Sequence, residues 1–479
     1  MDLTRKPYKY YSFYDLETSG MNPAFDQILQ FAAIRTDLNF NEIERHEFKI
    51  KLREDVIPHA GALIVNRLDV SYLLKGTNEY EATKKMHSIL SSEDTINLGY
   101  NTISFDDEFM RFTYDRNLLN PYSNQNNLSN CARMDIMPIT ILYFLYEKNT
   151  MKWPVVNNKP SLRLEYLNSF NDLAQGMAHD ALVDVEATIE LAKLLRKENE
   201  EMWSYLCKGF DKNTDLQRLN NLEHIELSDG SSYSKGLFIR NKFGYKNNCI
   251  SQCIKIAEDN KLNKTFWLRL DTKIFDSINE KRIFSELKKS TVSRKTGVPD
   301  FILPMSEKYN VSSSKKKELF SINEKWIQSN PQYLQELSEY FLSIEYKDRD
   351  FDLDASLYPK GAFHFDVGKK KVCNDFHEIT DLNKKANFVE NIQYDDVKAK
   401  ATRLLGRNYY NHLSSTLKKE FDMYIQSTKE DVHIDASGKK RNTIEDALNE
   451  TRSKLEDISN LDNQQVEILK SFEKYLLSK

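Results

Sequence analysis

Short strand-like and longer helix-like segments alternate over the first 200 residues, and this alternation limits the folds open to the chain. Runs rich in aromatic and β-branched residues, which are typical of strands, occupy 10–14, 28–35, 47–51 and 95–100. Helical periodicity marks 79–90, 107–117, 134–146 and 181–197. Alternation of this kind indicates an α/β layer fold.

Beyond residue 200 the pattern changes twice, and these changes divide the chain into three predicted domains. Short β-like runs at 236–240, 249–256 and 265–270 indicate a small β-rich domain. From residue 315 helical runs predominate, at 316–320, 332–344, 395–405, 409–426, 443–458 and 464–477. The 479 residues allow about two to four domains of about 100–200 residues each. We predict an α/β domain over 1–200, a basic β-rich domain over 201–352 and a helical domain over 353–479.

The last two helical runs carry apolar residues at intervals of three or four. These apolar positions are Ile444, Leu448, Leu455, Ile458, Val466, Leu469, Phe472 and Leu476. The spacing predicts amphipathic helices that pack against another part of the structure. A parallel coiled-coil dimer is the alternative, although both repeats are short for one.

The charge is nearly balanced in total but unevenly distributed. The chain has 68 Lys and Arg against 72 Asp and Glu, a formal net charge of −4. Residues 1–200 hold 22 basic and 29 acidic side chains, whereas residues 231–300 hold 15 basic and 7 acidic ones. The total excludes a highly basic protein that coats duplexes without discrimination, while the basic middle segment suits a partner that carries phosphates.

Composition excludes several other classes of protein. Apolar residues make up 40% of the chain and aromatic residues 11%, so disorder is excluded as the main state. Five cysteines form no disulfide framework, and the pair Cys249 and Cys253 lacks a second pair to complete a zinc site. The N-terminus has no apolar signal segment, and no apolar run approaches the roughly 20 residues that span a bilayer. We therefore expect a cytoplasmic protein with reduced thiols and no membrane partner.

The first candidate site segment is Asp15-Leu16-Glu17-Thr18-Ser19-Gly20, at the end of the first predicted strand. Alternate side chains of a strand share a face, so Asp15 and Glu17 lie side by side. Two neighbouring carboxylates repel each other unless one holds a proton or a cation lies between them. Oxygen ligands suit Mg²⁺ or Mn²⁺, although Asp-x-Glu pairs at strand ends are also common without a metal.

The second segment begins a helix after the fourth predicted strand. Ser104 is predicted to cap this helix, and its first turn holds Asp106, Asp107 and Glu108. Acidic residues in a first turn stabilise a helix through its dipole, and this role suffices for Asp107 and Glu108. Asp106 follows Phe105, a predicted core residue, and therefore lies where strand and helix meet.

The third segment, His179-Asp180-Ala181-Leu182-Val183-Asp184, begins another helix. If Asp180 caps that helix, Asp184 lies one turn inside it and His179 lies just before it. One helix N-terminus would then present an imidazole and a carboxylate to a common site. A single histidine beside a cap is unremarkable by itself.

Together the three segments supply four carboxylates and one imidazole, from Asp15, Glu17, Asp106, Asp184 and His179. This set suits two-metal phosphoryl transfer, in which ions about 3.5–4 Å apart hold the attacking water and the leaving oxygen. A histidine, whose ordinary pKa is near neutral, suits the removal of the water's proton.

The motifs D-x-E-T-x-G, N-x3-F-D and H-D-A-x2-D-x3-T, in this order, resemble the three motifs of the DEDD-type 3′→5′ exonucleases, histidine variant. Within that superfamily the chain is similar to the bacterial exodeoxyribonuclease I family. Further residues that carry this resemblance are 30–37, 105–108 with Arg111, 160–165, Asp354-Ala355, Leu357-Tyr358 and Arg407-Asn408. The resemblance is dense over residues 10–200, patchy over 201–350 and moderate afterwards.

The resemblance implies an RNase H-like exonuclease domain, then an SH3-like domain and a helical C-terminal domain that together encircle one strand. The implied activity is processive 3′→5′ degradation of single-stranded DNA to 5′-mononucleotides, in DNA repair and recombination. Two Mg²⁺ ions, for which Mn²⁺ substitutes, would be held by Asp15, Glu17, Asp106 and Asp184, and His179 would be the general base.

The resemblance also implies contacts with the substrate. Glu17 would lie against the terminal 3′ nucleotide, Arg163 and Arg111 would contact the strand, and Tyr122 would stack on a base. The planar fork of arginine suits phosphate, and aromatic faces stack on unpaired bases. A solvated surface ion pair is the alternative for each arginine.

The middle segment is typical of a surface that follows a single strand. No acidic residue occurs from Ser231 to Ala257, and basic and aromatic side chains alternate there. They are Lys235, Arg240, Lys242, Lys246 and Lys255 with Tyr233, Phe238, Phe243 and Tyr245. An ordinary β-rich domain with a basic face is the alternative.

The resemblance implies one protein partner, the acidic, apolar-ended C-terminal tail of the bacterial single-stranded-DNA-binding protein, and a monomeric enzyme. A related nuclease that acts on RNA or proofreads for a polymerase is one alternative, which the roughly 280 residues after the first domain disfavour. A catalytically silent scaffold that binds nucleic acid is the other, which the presence of all five expected catalytic residues disfavours.

Overall fold

The computed structural model describes residues 6–125, 129–176, 179–273, 280–298, 300–344, 351–358 and 365–479. The chain divides into two units, each assembled from separate stretches of sequence. The first comprises residues 1–133, 174–187 and 347–479, and the second comprises residues 134–173 and 188–346. Within the described residues we find no helix with the length and apolar character that a membrane span requires. The predicted domain boundaries at 200 and 352 stay a prediction.

The described residues include thirteen strands and eighteen α-helices. The strands are β1 (Tyr10–Thr18), β2 (Ile28–Asp37), β3 (Glu42–Lys49), β4 (Thr95–Gly99), β5 (Ala132–Asp135), β6 (Val155–Val156), β7 (Lys159–Pro160), β8 (His224–Glu226), β9 (Ser232–Ile239), β10 (Ile250–Asp259), β11 (Lys264–Arg269), β12 (Thr291–Lys295) and β13 (Phe301–Leu303). The helices are α1 (Ala60–Val65), α2 (Val70–Leu73), α3 (Glu79–Leu90), α4 (Asp106–Arg116), α5 (Ile136–Tyr146), α6 (Leu164–Asn171), α7 (Ala181–Glu198), α8 (Glu200–Cys207), α9 (Lys212–Asn220), α10 (Glu280–Ser290), α11 (Ser314–Ser329), α12 (Gln332–Leu342), α13 (Val367–Glu378), α14 (Leu382–Glu390), α15 (Asp395–Tyr409), α16 (Ser415–Glu430), α17 (Ile444–Glu456) and α18 (Asn463–Leu477).

The first unit is built on a mixed sheet with the strand order β3-β2-β1-β4-β5. Strand β1 is antiparallel to β2 and parallel to β4, and nearly all of its residues are buried, as its apolar sequence requires. The edge strand β3 begins at Glu42, five residues before the predicted strand at 47–51. That prediction was wrong because most side chains of β3 are exposed, so its sequence lacks the apolar alternation of a half-buried strand.

The predicted helices at 79–90, 107–117, 134–146 and 181–197 agree with α3, α4, α5 and α7 to within two residues. The single helix predicted at 409–426 was wrong, since α15 ends at Tyr409 and α16 begins at Ser415. The side chain of Ser414 accepts a hydrogen bond from the backbone N–H of Leu417 and so starts a new helix. The sequence predicts a break here as well, between the runs at 395–405 and 409–426, but places it several residues too early.

The amphipathic helices α17 and α18 pack within the first unit against α1 and α2. Ala447, Leu469 and Phe472 are fully buried in one apolar cluster with Leu63. This confirms that the two helices pack against another part of the structure, and their apolar faces are covered without a coiled-coil partner. Ile458 lies beyond the end of α17 and is 52% exposed, so its predicted place in the apolar stripe was wrong.

A buried cluster of charged side chains joins the C-terminal helices to the segment before α1. The Arg407 guanidinium lies 2.7 Å from Asp55 and 2.6 Å from Asp354, and the Tyr424 hydroxyl donates to Asp55 at 2.8 Å. Arg441 donates to the backbone carbonyl of Asp55 at 3.0 Å. Burial alone would raise the pKa of both carboxyl groups, but Arg407 and the other arginines around them together outweigh burial and hold both pKa values well below their ordinary range.

The second unit contains an antiparallel sheet with the order β12-β11-β10-β9-β13, and β8 pairs with the other end of β9. The β-like runs predicted at 236–240, 249–256 and 265–270 coincide with β9, β10 and β11. One face of the sheet packs on α10, α11 and α12 through an apolar cluster that includes Ile254, Leu268 and Leu334. The β-rich character predicted for this part of the chain is therefore confirmed.

We expect Asp354→Asn to destabilise the protein strongly, because Arg407, Arg403 and Arg441 all face this buried carboxylate. Removal of one partner from a buried ion pair costs about 3–5 kcal/mol, and the free energy of unfolding should fall by that amount. Urea denaturation followed by circular dichroism measures it. The exposed Asp457→Asn is the matched control and should change little. A loss below about 1 kcal/mol for Asp354→Asn, the size of a surface pair, would contradict the role of the cluster.

Candidate active site

Asp15 and Glu17 lie on one face of β1, as the alternation of side chains along a strand requires. Asp15 pairs with Ala32 and Glu17 with Gln30 of β2, and the register shifts directly after Glu17. Glu17 is only 7% exposed and Asp15 is partly exposed. Two acidic groups are thus held side by side in a largely buried position, a costly arrangement for two negative charges.

Asp106 brings a third carboxylate to the same strand. It is the first residue of α4, is 4% exposed, and accepts a hydrogen bond of 3.1 Å from the backbone N–H of Leu16. Gly99 lets the end of β4 lie close to β1, because a Cβ atom at this position would be 2.5 Å from the carbonyl oxygen of Tyr14. The Gly99-Tyr100-Asn101 sequence therefore places the start of α4 against the segment that holds both strand carboxylates.

The start of α7 supplies the remaining two groups. Asp180 accepts a hydrogen bond of 3.1 Å from the backbone N–H of Leu182, so it caps the helix as predicted. Asp184 lies in the first turn, and His179 precedes the cap with a φ of 63°. A carboxylate oxygen of Glu17, one of Asp184 and a ring nitrogen of His179 all lie within 4.8 Å of one another. The first and third sequence segments thus meet, although about 160 residues separate them.

The electrostatics of the site indicate excess negative charge. Burial, and then the negative charges of Asp106 and Asp184, raise the pKa of Asp15 well above its ordinary value. Burial, and then Asp184 and Asp106, raise the pKa of Glu17 in the same way. Protons or a cation would relieve this repulsion. Because the donors are carboxylate oxygens with one imidazole, the residues present fit a hard divalent ion such as Mg²⁺ or Mn²⁺.

Asp107 has a different role from its neighbour Asp106. It is completely buried and accepts hydrogen bonds from the Tyr14 hydroxyl at 2.7 Å and from the Asn124 side chain at 2.8 Å. It also forms an ion pair with Arg133. The prediction that a helix-capping role suffices for Asp107 was wrong, because its partners come from β1 and from the chain after α4. Only the alternation along β1, which directs Tyr14 away from the face of Asp15, could have indicated this contact.

Two other predictions for this segment also require correction. The residue before α4 is Phe105 and not Ser104, which lies in a short 3₁₀ turn. Glu108 pairs with Arg111 and accepts a hydrogen bond from the Tyr358 hydroxyl, so it too does more than favour the helix dipole.

The predicted substrate contacts lie in both units. Arg111 is 7% exposed, pairs with Glu108, and lies 5.2 Å from the ring of the half-buried Tyr122. Arg163 belongs to the second unit, where its side chain is 64% exposed and lies 3.2 Å from Glu165. That these residues contact a substrate stays a prediction.

The basic middle segment is only partly available to a partner. Lys235, Arg240 and Lys255 form ion pairs within the second unit. Lys242 and Lys246 lie in the connection between β9 and β10, where both are exposed. Among the described residues neither lysine has an acidic side chain within ion-pair distance.

Comparisons with known proteins agree with this site. A family model for exonucleases, RNase_T, matches residues 12–192, which include all three motifs. Exodeoxyribonuclease I of Buchnera aphidicola subsp. Acyrthosiphon pisum is 30% identical over 372 residues, which are 75% of this chain and 88% of that protein. Exodeoxyribonuclease I of Escherichia coli is 34% identical over 221 residues, 44% of this chain and 46% of that protein.

Not every relative is matched along its whole length. Exodeoxyribonuclease I of Buchnera aphidicola subsp. Schizaphis graminum is 31% identical over 277 residues, 57% of this chain and 54% of that protein. The chain therefore matches about half the length of this relative and of the Escherichia coli protein.

Solved structures share the fold over nearly the full length. Escherichia coli exonuclease I in complex with a dA16 oligonucleotide gives a TM-score of 0.83 at 21% identity, covering 98% of this chain and 99% of that chain. Exonuclease I from Methylocaldum szegediense gives 0.80 at 22% identity, with the same coverage of 98% and 99%. This likeness confirms the predicted fold class, an RNase H-like exonuclease domain followed by an SH3-like domain and a helical C-terminal domain. Because the first Buchnera relative is matched over most of its length at 30% identity, the chain belongs to the exodeoxyribonuclease I family.

Proposed function

We propose that the protein is a 3′→5′ exonuclease that degrades single-stranded DNA to 5′-mononucleotides. The observation that carries this proposal is the convergence of Glu17, His179 and Asp184 within 4.8 Å, from a strand and a helix that are distant in sequence. The dA16 complex of the Escherichia coli neighbour supports single-stranded DNA as the substrate class.

Asp15, Glu17, Asp106 and Asp184 would hold two divalent ions, for which we propose Mg²⁺. When bound, these ions supply Lewis-acid stabilisation of the negative charge that develops at the scissile phosphate. The raised pKa values of Asp15 and Glu17 support this assignment, because burial and the neighbouring carboxylates cause them and a bound cation would offset that cost. Carboxylate oxygens are also the donors that Mg²⁺ prefers.

His179 would act as the general base. Its ring nitrogen lies within reach of both Glu17 and Asp184, so a water molecule beside these carboxylates could give its proton to the imidazole. The Asp180 cap fixes the first turn of α7 and with it the position of His179 directly before the helix. The geometry of the helix start therefore supports His179 as the base.

The remaining contacts would bind the strand. Glu17 would lie against the terminal 3′ nucleotide, Arg163 and Arg111 would contact the backbone, and Tyr122 would stack on a base. We further propose three domains over residues 1–200, 201–352 and 353–479, and degradation that is processive.

The cellular setting belongs to the same proposal. We propose a monomeric enzyme of the bacterial cytoplasm that acts in DNA repair and recombination and binds the acidic tail of the single-stranded-DNA-binding protein. The bacterial source of the named relatives supports this setting, as does the free state of all five cysteines, which a reducing compartment maintains.

Labelled DNA and RNA oligonucleotides, incubated in parallel with the protein and Mg²⁺, test the substrate class. We expect stepwise shortening of single-stranded DNA from the 3′ end, with mononucleotides as the product and no shortening in excess chelator. Preferential degradation of RNA would favour a related nuclease. Binding of single strands without release of nucleotides would establish a catalytically silent scaffold.

We expect Asp184→Ala to abolish cleavage while largely preserving DNA binding, because it removes a proposed metal ligand and no contact with the strand. Nucleotide release and fluorescence anisotropy with a labelled oligonucleotide measure the two properties. Glu190→Ala on the same helix is the matched control and should leave both properties unchanged, since within the described residues the ion pair of Glu190 is with Lys193. Retained cleavage by Asp184→Ala would exclude Asp184 from the metal site.

We expect replacement of Lys242 and Lys246 by Ala to weaken binding of single-stranded DNA and to flatten its salt dependence. Each phosphate contact that is lost reduces the slope of log K against log salt by about 0.7 for a single strand. Anisotropy titrations over a range of salt concentrations measure this slope. Replacement of the exposed Lys470 and Lys474 on α18 changes the charge equally and serves as the control. An unchanged slope in the first variant would mean that the β9–β10 connection does not face the strand.

A further inference from the structure

The backbone that follows Glu17 is held by α1 and the residues beside it. The backbone N–H of His59, just before α1, donates to the carbonyl oxygen of Ser19 at 2.8 Å. The side chain of Asn66, just after α1, donates to the carbonyl oxygen of Thr18 at 3.0 Å. The end of β1, and therefore the place of Glu17, depends on where α1 lies.

Packing makes this connection stiff. Gly20 lies so close to its neighbours that a Cβ atom would be 2.4 Å from Asp26 Oδ2 and 2.4 Å from His59 Cδ2. The Ser19 hydroxyl, in turn, donates to Asp26 at 3.0 Å. Because the His59 ring lies directly against Gly20, a displacement of His59 towards this loop would disturb the loop.

Helix α1 cannot cap its own N-terminus. The side chain of His59 makes no capping hydrogen bond, and the first turn contains no acidic residue. Glu450 of α17 supplies the cap instead, accepting from the backbone N–H groups of Ala60 at 3.0 Å and Gly61 at 2.9 Å. One of its oxygens also lies 3.7 Å from His59 Nδ1. Both carboxylate oxygens of a residue 390 positions away therefore hold the start of α1.

We propose that Glu450 is a positioning residue for the exonuclease site, acting through α1 and His59 on the strand end that carries Glu17. The C-terminal helix α17 would thus be part of the apparatus that aligns the proposed metal ligands, in addition to covering an apolar face. This inference rests on the proposed function, because alignment is measured by the rate of the proposed reaction.

A purely structural role is the alternative, since α17 and α18 also pack on α1 and α2 through Ala447 and Phe472. The two roles differ in what they change. Loss of packing lowers the temperature of unfolding and leaves the folded enzyme with its normal rate. Loss of alignment lowers kcat in the folded enzyme, because small displacements of catalytic groups reduce rates strongly.

The test uses the full chain with Glu450→Ala and Glu450→Gln, assayed with single-stranded DNA and Mg²⁺ well below the temperature of unfolding of each variant. We expect kcat to fall by about 10- to 100-fold in Glu450→Ala with little change in KM. Glu450→Gln should lose less, because its amide oxygen still accepts one of the two hydrogen bonds. Glu473→Gln on α18, whose ion pair in the part of the chain that the structure describes is with Arg452, is the control and should keep the wild-type kcat. A wild-type kcat in Glu450→Ala, or an equal loss in Glu473→Gln, would overturn the proposal.

Hydrogen exchange followed by mass spectrometry gives a second readout that needs no activity. We expect faster exchange in the segment 17–27 of Glu450→Ala and Glu450→Gln, with unchanged exchange in α3. Unchanged exchange in 17–27 would refute the coupling even if the wild-type protein degrades no DNA. Faster exchange there together with an inactive wild-type protein would retain the coupling and refute the proposed function alone.

Discussion

Repulsion among the carboxylates beside β1 is the constraint that the first unit has to oppose. Asp15 and Glu17 lie next to Asp106 and Asp184 in a largely buried region, and their raised pKa values express the cost. An isolated strand and two helix ends would move apart to reduce it. The structure keeps them together because each carboxylate belongs to an element that is fixed by contacts on its other side.

The contacts that fix these elements are themselves polar, and they are buried or partly buried. Asp107 holds the start of α4 against Tyr14 and Arg133, directly beside Asp106. Glu450 holds α1, which in turn holds the carbonyl groups after Glu17. Polar contacts specify position more narrowly than apolar packing, since a buried group that loses its partner carries the full cost of desolvation. The site is thus aligned by hydrogen bonds that lie one residue or one helix away from it.

The sequence predicts the parts of this arrangement that follow local rules. Strand alternation places Asp15 and Glu17 on one face, and a capping residue places His179 and Asp184 at one helix start. The α/β class and the β-rich middle part follow from the spacing of apolar residues. The pairs Asp354-Ala355 and Arg407-Asn408, which carried part of the family resemblance, prove to contain the two ends of a buried ion pair.

Other parts could not be predicted, because they depend on partners that are distant in sequence. No local pattern indicates that Asp107 meets Arg133 or that Glu450 caps α1, since both contacts exist only after the chain has folded. The start of strand β3 was missed for a local reason, because an exposed edge strand needs no apolar alternation. The break between α15 and α16 was predicted, but several residues too early, because its position depends on the Ser414 cap, which the apolar spacing does not show.

Two sets of buried carboxylates in the first unit differ in the charges that surround them. Asp55, Asp354 and Glu79 face guanidinium groups, so their pKa values are lowered although burial alone would raise them. Asp15 and Glu17 have no such partner in the part of the chain that the structure describes, and their pKa values are raised. Among the described residues arginines neutralise the first set but not these two carboxylates, which leaves room for a charge that the protein itself does not supply. A divalent cation would supply this missing positive charge. The acidic character of the first 200 residues is then compatible with the proposed substrate, which is itself an anion.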